Sequence, residues 1–512
     1  MRRYCFSSSA VQELEDGWMA KFMYPFDTLR ALKRRWNAWL YLYYGPSMIQ
    51  KGYDNAKGQP FEIFAPDNRY VFVSSTKHIK EVDSAPDTVL SLQAASKQIL
   101  QPMYTMHGFN WFDRRGTEGV GFVRALRTLL TNNMPNILPD LRVAIARKFA
   151  KMHAESPVVN GSRHSPVYPM VLKLTALTNT LAFFGKDLAR NDEFMRSTFA
   201  YIEETIKTAE VVRLLPRVIA PLVGHALARR FSSNETMYYA LLPVAEQRLQ
   251  EKALEKLGQK VEKHHDCIQW ILETSPKKNP WSAQRIVYEL MAIWFGSVHA
   301  LSTTITYAIH DLCLHPEYIE PLRMELESAQ YAEFERTGQG LPLLDSFIKE
   351  SARLTPIESM STRRHALQPF TLSDGTHLNV GDWACTPIQA MMQDPELYPE
   401  PLQFKGFRFV ESKVLEQAEL SAFKFPQGPS KLTDANINGS WHVWGTGRMA
   451  CPGRYYAAAV MKMMLAQVIL HYDCELVDKD APRWFTWRSS MLPLAKTMVI
   501  FRPRQHQSES QL

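Results

Sequence analysis

The sequence predicts a mainly α-helical fold with small β-sheets. The longest helical pattern follows Asn279 and Pro280, taken as a helix cap and first-turn proline, and runs without a breaker to His315. That is about 33 residues, or roughly 50 Å at the rise of an α-helix, enough to cross a whole domain. A hairpin is predicted over Phe370–Val380, and alternation in Trp487–Pro503 predicts further strands. Long helices with small sheet patches indicate a mainly α architecture.

The order of elements along the chain favours one large domain. Further helices are predicted from Pro316 toward Ala329, over Leu344–Leu354 and over Arg454–His471. Glycine, proline and aromatic residues crowd the segment 381–453, which is predicted to be ordered coil. No repeat or low-complexity linker divides the 512 residues. We therefore expect an N-terminal segment, 1–50, followed by a single domain, 51–512.

The composition excludes some classes of protein. Hydrophobic residues make up 46% of the chain and charged residues 22%, as in ordinary globular proteins. The net charge of +7 is too diffuse for nucleic-acid binding, but it suits an anionic membrane surface or an acidic protein partner. The six cysteines are far apart and form no Cys-x-x-Cys unit. This spacing indicates a reduced, cytosol-facing compartment and no disulfide scaffold.

Two apolar stretches raise the question of a membrane. Residues 1–35 are interrupted by charges, so neither a signal peptide nor an anchor is predicted there. The aromatic run Trp36–Tyr44 either rests in a membrane interface or packs on the body of the protein, and both interpretations stay open. Leu290–Ile309 contains no acidic or basic residue, but small polar residues interrupt it. A long buried helix explains that mixture better than a membrane span.

A glycine-rich segment around one cysteine carries the strongest chemical signal. Trp444–Arg454 reads WGTGRMACPGR and leads directly into the predicted helix Arg454–His471. Glycines permit tight turns and close approach to a bound group. A cysteine just before a helix N-terminus gains free N–H donors and the favourable end of the helix dipole, which suits a metal-bound thiolate. The alternative is a buried structural cysteine, Cys451, in a glycine-rich turn.

This segment resembles the cysteine-ligand loop of the cytochrome P450 family, particularly its filamentous-fungal members. The family pattern is Phe-x-x-Gly-x-Arg/His-x-Cys-x-Gly. Three positions match it, Trp444 stands in for phenylalanine, and Met449 occupies the place where a basic residue usually contacts a haem propionate. The resemblance covers roughly residues 60–505 and implies a triangular haem-thiolate helical domain with haem b, its iron held by Cys451. The implied cofactor-binding residues are Cys451, Arg127, Trp444, Gly445, Gly447, Arg448 and Gly453, with Arg448 partly replacing the contact missing at Met449.

Three other parts of the chain support the resemblance. Glu350 and Arg353 lie three residues apart on a predicted helix and share one face. Arg408, in an aromatic-Arg-Phe segment, resembles the residue that completes the family's Glu-Arg-Arg network around the haem. The segment that begins at Arg127 resembles the early helix that supplies an arginine to a haem propionate, with Arg124 as an alternative. An ordinary surface arginine remains the competing interpretation for that position.

The central helix departs from the family pattern where dioxygen is activated. Gly296 and Ser297 provide the small-residue notch, and His299 stands where an acid is expected. Ala300 replaces the usual threonine. Because proton delivery needs a hydroxyl, a titratable group or an ordered water, the predicted catalytic residues are Ser302, Thr303 and His299, the last through a held water. For direct catalysis by His299, the alternative of a hydrogen-bonded core histidine is slightly favoured.

The resemblance implies a monooxygenase that inserts one oxygen atom from O2 into a lipophilic small molecule, such as a fungal terpenoid, polyketide or alkaloid intermediate. Electrons are expected from an NADPH-dependent cytochrome reductase, because no flavin or dinucleotide motif is evident in the chain. The family further implies the cytosolic face of the endoplasmic reticulum membrane. The pocket walls are expected from Gln101–Phe112, Leu214–Ala226, Ile293–Leu301, Ile357–Met360 and Ser490–Leu494.

Three alternatives complete the predictions. A haem-thiolate isomerase or dehydratase is favoured by Ala300, since such chemistry needs less of the proton relay. A non-enzymatic haem-binding protein is the more distant option. The crowded run His264–Cys267 raises the question of a zinc site, but a solvated loop explains it better.

Overall fold

The mainly helical architecture is confirmed in the computed structural model, which describes residues 25–108 and 121–504. Among the described residues, the strands form four sheets of two to five strands. Of the expected pocket walls, the portion Phe109–Phe112 lies outside the described residues.

Helices provide most of the framework. Before the central helix they are α1 (Pro25–Ala56), α2 (Thr76–Ser84), α3 (Leu92–Leu100), α4 (Pro102–Thr105), α5 (Gly121–Arg124), α6 (Met134–Ala154), α7 (Val167–Phe184), α8 (Lys186–Arg190), α9 (Asp192–Leu214), α10 (Ala220–Arg230), α11 (Ser233–Lys256) and α12 (Cys267–Thr274). From the central helix onward they are α13 (Ala283–Leu314), α14 (Ile319–Leu326), α15 (Ala329–Thr337), α16 (Pro342–Leu354), α17 (Ile388–Met392), α18 (Ser412–Gln417) and α19 (Arg454–His471). A π-helical turn covers Ala125–Leu130, and 3₁₀ turns cover Pro316–Tyr318, Ser421–Phe423 and Gly447–Met449.

The strands are short. They are β1 (Phe61–Phe64), β2 (Arg69–Phe72), β3 (Leu90–Ser91), β4 (Val158–Val159), β5 (Ser162–Pro166), β6 (Ser361–Ala366), β7 (Phe370–Thr371), β8 (His377–Leu378), β9 (Trp383–Thr386), β10 (Tyr472–Leu476), β11 (Trp484–Trp487), β12 (Ser490–Pro493) and β13 (Met498–Pro503). The largest sheet has the order β1-β2-β9-β6-β3, and a second has the order β10-β13-β5-β4. The predicted hairpin is confirmed as the antiparallel pair β7–β8, and the predicted C-terminal strands are confirmed, although β11 begins earlier than expected.

The central helix α13 begins later than predicted. Its N-cap is Ser282, whose hydroxyl accepts a hydrogen bond from the Arg285 N–H, so Asn279 and Pro280 precede the helix rather than opening it. A serine hydroxyl at this position satisfies one of the free N–H groups of the first turn. The helix then runs for 32 residues and packs against α7, α11, α16 and α19. It thereby forms the axis on which the cavity described below is built.

The prediction of coil for 381–453 is partly wrong. The four residues of β9 are all buried, and this strand pairs with β2 on one side and β6 on the other. α17 and α18 also fall within the segment. A short apolar run becomes a central strand through pairing with distant residues, which local composition does not reveal.

Two described helices, α7 and α13, are long and apolar enough to cross a membrane by length and composition. Their most apolar windows are 67% and 61% buried inside the fold, respectively. Packing in the protein core therefore explains their composition, as predicted for Leu290–Ile309.

Candidate active site

The cysteine loop presents a half-buried sulfur just before the start of α19. Gly445 and Gly447 have φ angles of 76° and 58°, which favour glycine, and the Cys451 N–H donates to the Trp444 carbonyl at 2.7 Å. A side chain at position 447 would also collide with the Asp83 carboxylate, 2.4 Å from an ideal Cβ. Burial raises the pKa of the Cys451 thiol, although the Gly453 N–H and nearby guanidinium groups oppose this effect. A bound metal cation is the kind of partner that overcomes such a penalty.

Cys451 lines a mostly apolar cavity of 360 Å³ between the cysteine loop and α13. Along α13, Gly296 and Ala300 face this space, and a Cβ added at Gly296 would meet no atom within 4 Å. Trp444 and Gly453 line the cavity from the cysteine loop. A half-buried sulfur on one wall and small residues on another leave room for a flat cofactor, whose metal the Cys451 sulfur would bind.

Arg127 connects the early helix to the cysteine loop. Its Nη2 donates to the Arg448 and Ala450 carbonyls at 3.1 and 3.4 Å, and its buried Nε has no hydrogen-bond partner among the described residues. This unpaired donor close to Cys451 is consistent with an anionic group bound beside the loop. Arg124, the alternative, is exposed.

Arg448 faces a different direction from the one expected. Its half-exposed guanidinium donates to the Ala85 carbonyl at 2.8 Å and pairs with Asp87 at 3.3 Å. It is not among the residues that line the Cys451 cavity. The structure therefore gives no support to the idea that Arg448 replaces the contact missing at Met449.

Glu350, Arg353 and Arg408 meet in one buried network. Arg353 forms a two-bond fork with Glu350 at 2.7 and 2.8 Å, and Arg408 Nε lies 3.0 and 3.1 Å from the same two carboxylate oxygens. All three side chains have 0% exposure. The guanidinium groups also donate to backbone carbonyls in the segment 392–403, so the network ties α16 to the long connection that leads to the cysteine loop. This geometry indicates a structural role, in which the network fixes the position of the connection relative to α16.

The three predicted catalytic residues of α13 do not line the cavity. His299 Nδ1 lies 2.9 Å from the Tyr168 hydroxyl, and burial lowers the pKa of His299, which favours the neutral imidazole. Ser302 is fully buried and donates to the Val298 carbonyl at 2.7 Å, while Thr303 is buried beside Tyr168. Helical geometry separates them from the cavity, because the residues facing it recur at spacings of three to four along α13. Their direct role in proton delivery stays a prediction without support from this arrangement.

Other polar side chains reach the cavity instead. On α13 these are Ser297 and Thr304, one on either side of Ala300 on the same helix face. Asn179 of α7 and Tyr456 of α19 also line the cavity and connect to Ser297 through hydrogen bonds. Thr304 was detectable from sequence, since it lies one turn after Ala300. Asn179 has no comparable local signal, because its role depends on packing between helices.

The expected pocket walls do not all meet at one cavity, and Ser490–Leu494 lines neither of the two cavities described here. Residues of Ile293–Leu301, together with Ile357, line the Cys451 cavity. Gln101 and the segment 212–217 instead line a separate opening of 770 Å³ beside α1. The walls predicted from these two regions therefore belong to different cavities in this structure.

The histidine-rich run before α12 has a structural explanation. His264 Nε2 lies 2.9 Å from a Glu251 oxygen, and Asp266 caps α12 by accepting the Gln269 N–H. Within 25–108 and 121–504, no cluster of three or more His, Cys, Asp or Glu side chains is arranged to hold a metal ion. The prediction of a solvated loop is wrong for the second half of the run, because Asp266 and Cys267 are buried and Cys267 begins α12.

Comparisons with known proteins give the same family. The chain is 27% identical over 473 residues to cytochrome P450 monooxygenase 71 of Postia placenta, covering 92% of this chain and 90% of that protein. It is 26% identical over 477 residues to cytochrome P450 monooxygenase paxP of Penicillium paxilli, covering 90% and 86%. The solved structure of retinoic acid bound cyanobacterial CYP120A1 shares the fold, with a TM-score of 0.63 at 15% identity over 91% of this chain and 97% of that one.

The family model described as Cytochrome P450 matches residues 45–501, nearly the whole described chain. The predicted resemblance and fold are thereby confirmed, and the family implies a haem whose iron is bound by a cysteine thiolate. The chain therefore belongs to the cytochrome P450 family of haem-thiolate monooxygenases.

Proposed function

We propose that the protein inserts one oxygen atom from O2 into a lipophilic small molecule, with electrons from an NADPH-dependent cytochrome reductase. The observation that carries this proposal is the half-buried Cys451 sulfur at the wall of an apolar cavity whose other side is the notch of α13. The enzyme class agrees with the names of the fungal relatives. The substrate class and the electron donor are inferred from the cavity chemistry and from the family.

The residues present suit haem b as the cofactor. Cys451 would supply the thiolate that binds the iron, and Arg127, whose buried Nε has no hydrogen-bond partner among the described residues, would bind a haem carboxylate. The indole N–H of Trp444 is occupied by the Leu432 carbonyl at 2.6 Å, so the ring of Trp444 is fixed against the cavity wall. Haem supplies the oxidative chemistry, and the chain orients the substrate and excludes water.

The cavity lining favours an apolar substrate. Its aliphatic and aromatic members come from several elements and include Phe122, Leu126, Phe183, Ile293, Leu301 and Ile357. Such a surface binds by excluding water and offers few polar groups for orientation. Together with the fungal sources of the relatives, this favours a terpenoid, polyketide or alkaloid intermediate of secondary metabolism.

Ala300 supports a second candidate, an isomerase or dehydratase reaction. Its methyl group faces the cavity and offers no proton where the family usually has a hydroxyl. Such reactions use neither NADPH nor dioxygen, so the cosubstrates separate the two candidates.

We expect the haem-loaded protein, incubated with reductase, NADPH and a panel of lipophilic precursors, to form a product one oxygen atom heavier than its precursor. Mass spectrometry with ¹⁸O₂ would show the label in that product, because dioxygen is the proposed oxygen source. The matched controls omit NADPH or replace air by nitrogen. Product formed equally in both controls would establish isomerisation or dehydration instead.

We also propose that the protein contacts the cytosolic face of the endoplasmic reticulum membrane. Large apolar side chains are exposed on α1 and around the start of α10, with Trp36 68%, Val218 90% and Leu222 77% exposed. The opening of 770 Å³ joins the two regions, since Trp39 and the segment 214–217 both line it. Exposed basic residues at 33–35 precede the aromatic run. Aromatic rings beside basic side chains suit the headgroup region of an anionic bilayer.

Val218→Asp combined with Leu222→Asp is expected to weaken binding to vesicles containing anionic phospholipid. Burial of each apolar side chain contributes about 1.5–3 kcal/mol, so the bound fraction should reflect a decrease in affinity of roughly tenfold or more. Co-sedimentation measures this decrease. Leu257→Asp changes a comparably exposed leucine at the end of α11 and is the matched control. Equal sedimentation of the double variant and the control would contradict the proposed membrane face.

A further inference from the structure

Three side chains in the wall of the Cys451 cavity form a hydrogen-bonded bridge between helices. The Tyr456 hydroxyl donates to Asn179 Oδ1 at 3.0 Å, and Asn179 Nδ2 donates to Ser297 Oγ at 3.1 Å. Ser297 Oγ in turn donates to the Trp294 carbonyl at 3.0 Å. The bridge, defined as Tyr456–Asn179–Ser297, thus connects α19, α7 and α13.

The bridge lies in apolar surroundings. Asn179 is 0% exposed and Tyr456 is 4% exposed, and all three members line the cavity. A buried amide without partners is costly, whereas a fully bonded one fixes the groups around it. Burial also raises the pKa of Tyr456, so its phenol stays protonated and remains a donor. The bridge therefore holds the Ser297 hydroxyl in one place relative to the helix that follows Cys451.

Ser297 occupies a position that matters because of Ala300. The two residues are three apart on α13 and both face the cavity, whereas Ser302 is turned away and bonded to Val298. A serine hydroxyl has one donor and two acceptor sites. The bonds to Trp294 and Asn179 leave one acceptor site free for a water molecule in the cavity.

We propose that Ser297 is the cavity hydroxyl that delivers protons to dioxygen, and that Asn179 is its positioning residue. The proposal rests on the monooxygenase function above. For each transfer the Ser297 hydroxyl turns from the Trp294 carbonyl toward the cavity, releases its proton toward dioxygen and takes one from the adjacent water, so its own charge does not change. The electrons come from the reductase and the protons from water. Asn179, itself held by Tyr456, keeps the hydroxyl oxygen directed into the cavity.

The test uses the haem-loaded chain with reductase, NADPH and air, and measures hydrogen peroxide released per NADPH consumed. Ser297→Ala is expected to raise this ratio several-fold and to lower the rate of complete dioxygen reduction by roughly 10²-fold, the lower range for loss of a general acid. Ser297→Thr retains a hydroxyl and is expected to keep the wild-type ratio. Thr306→Ala is the matched control, since its buried hydroxyl only donates to the Ser302 carbonyl at 2.7 Å.

A ratio in Ser297→Ala equal to that of the wild type would overturn the assignment. So would a rise found in Ser302→Ala, Thr303→Val or Thr304→Val but not in Ser297→Ala. Thr304 is the structural competitor, because its hydroxyl also lies at the cavity and donates to the Ala300 carbonyl at 3.1 Å.

A second readout tests Asn179 without turnover. Asn179→Leu and Tyr456→Phe are expected to speed amide hydrogen exchange over residues 294–301 of α13, measured on the haem-loaded protein without reductase. Thr180→Val, the adjacent buried residue whose hydroxyl donates to the Ala176 carbonyl, is the control. Unchanged exchange in Asn179→Leu would overturn its positioning role. If Asn179→Leu speeds exchange but the wild-type protein shows no NADPH-dependent oxygen uptake, the positioning role of the bridge is supported. The proposed monooxygenase function is then refuted.

Discussion

Glu350→Gln is expected to lower the free energy of unfolding by about 3–5 kcal/mol, because it leaves two buried guanidinium groups without their shared carboxylate. The side chains of Arg353 and Arg408 are both 0% exposed. Each guanidinium group donates hydrogen bonds to both carboxylate oxygens of Glu350. Whole domains are stable by only about 5–15 kcal/mol, so a loss of this size is a large share of the total. Denaturant unfolding followed by circular dichroism measures it.

Glu333→Gln is the matched control for this prediction. Glu333 forms the same kind of i,i+3 pair with Arg336, but both side chains are more than half exposed to solvent. Solvent-exposed pairs contribute about 0–1 kcal/mol, so this variant should unfold almost like the wild type. Equal destabilisation by Glu350→Gln and Glu333→Gln would contradict a structural role for the buried network.

Cys451→Ala is expected to abolish NADPH- and O2-dependent product formation. The sulfur is the only cysteine side chain that lines the 360 Å³ cavity among the described residues, and alanine offers no ligand to a metal. Product analysis with the substrate panel, combined with haem content per protein, separates loss of chemistry from loss of binding. The rest of the cavity is unchanged by this substitution, so some haem is expected to remain bound.

Cys385→Ala is the corresponding control. Cys385 is fully buried in β9 and lies outside the cavity, so its replacement should lower stability modestly and leave product formation intact. Persistent oxygenation by Cys451→Ala would show that the proposed ligand is wrong.

Strong local signals account for the parts of the fold that the sequence predicts well. Arg454–His471 is a helix with the predicted bounds, and the turn at Gly375 produces the predicted hairpin. Each depends on residues close in sequence, namely an uninterrupted helical pattern or a turn with a glycine at positive φ. β9 could not be predicted in this way, because it forms through pairing with other strands. One partner, β2, lies hundreds of residues earlier in the chain, and the other, β6, lies about 20 residues earlier.

In the site, too, features that depend on neighbouring residues could be predicted, whereas features that depend on packing between distant residues could not. The glycine-rich loop around Cys451 could be predicted because its motif consists of consecutive residues. In the structure this loop directly precedes the N-terminus of α19. On α13, the family pattern directs attention to His299, Ser302 and Thr303, whereas the phase of the helix turns these side chains away from the cavity. Asn179 reaches the cavity only because α7 packs against α13, a contact between residues more than a hundred positions apart.

We expect Cys451 to bind the haem iron through its sulfur. The most direct test is the carbon monoxide difference spectrum of the reduced wild-type protein. The arrangement of the cysteine loop predicts the long-wavelength Soret band that thiolate ligation produces, and predicts its absence in Cys451→Ala. A wild-type protein that contains haem but lacks this band, or a Cys451→Ala variant that retains it, would contradict the assignment.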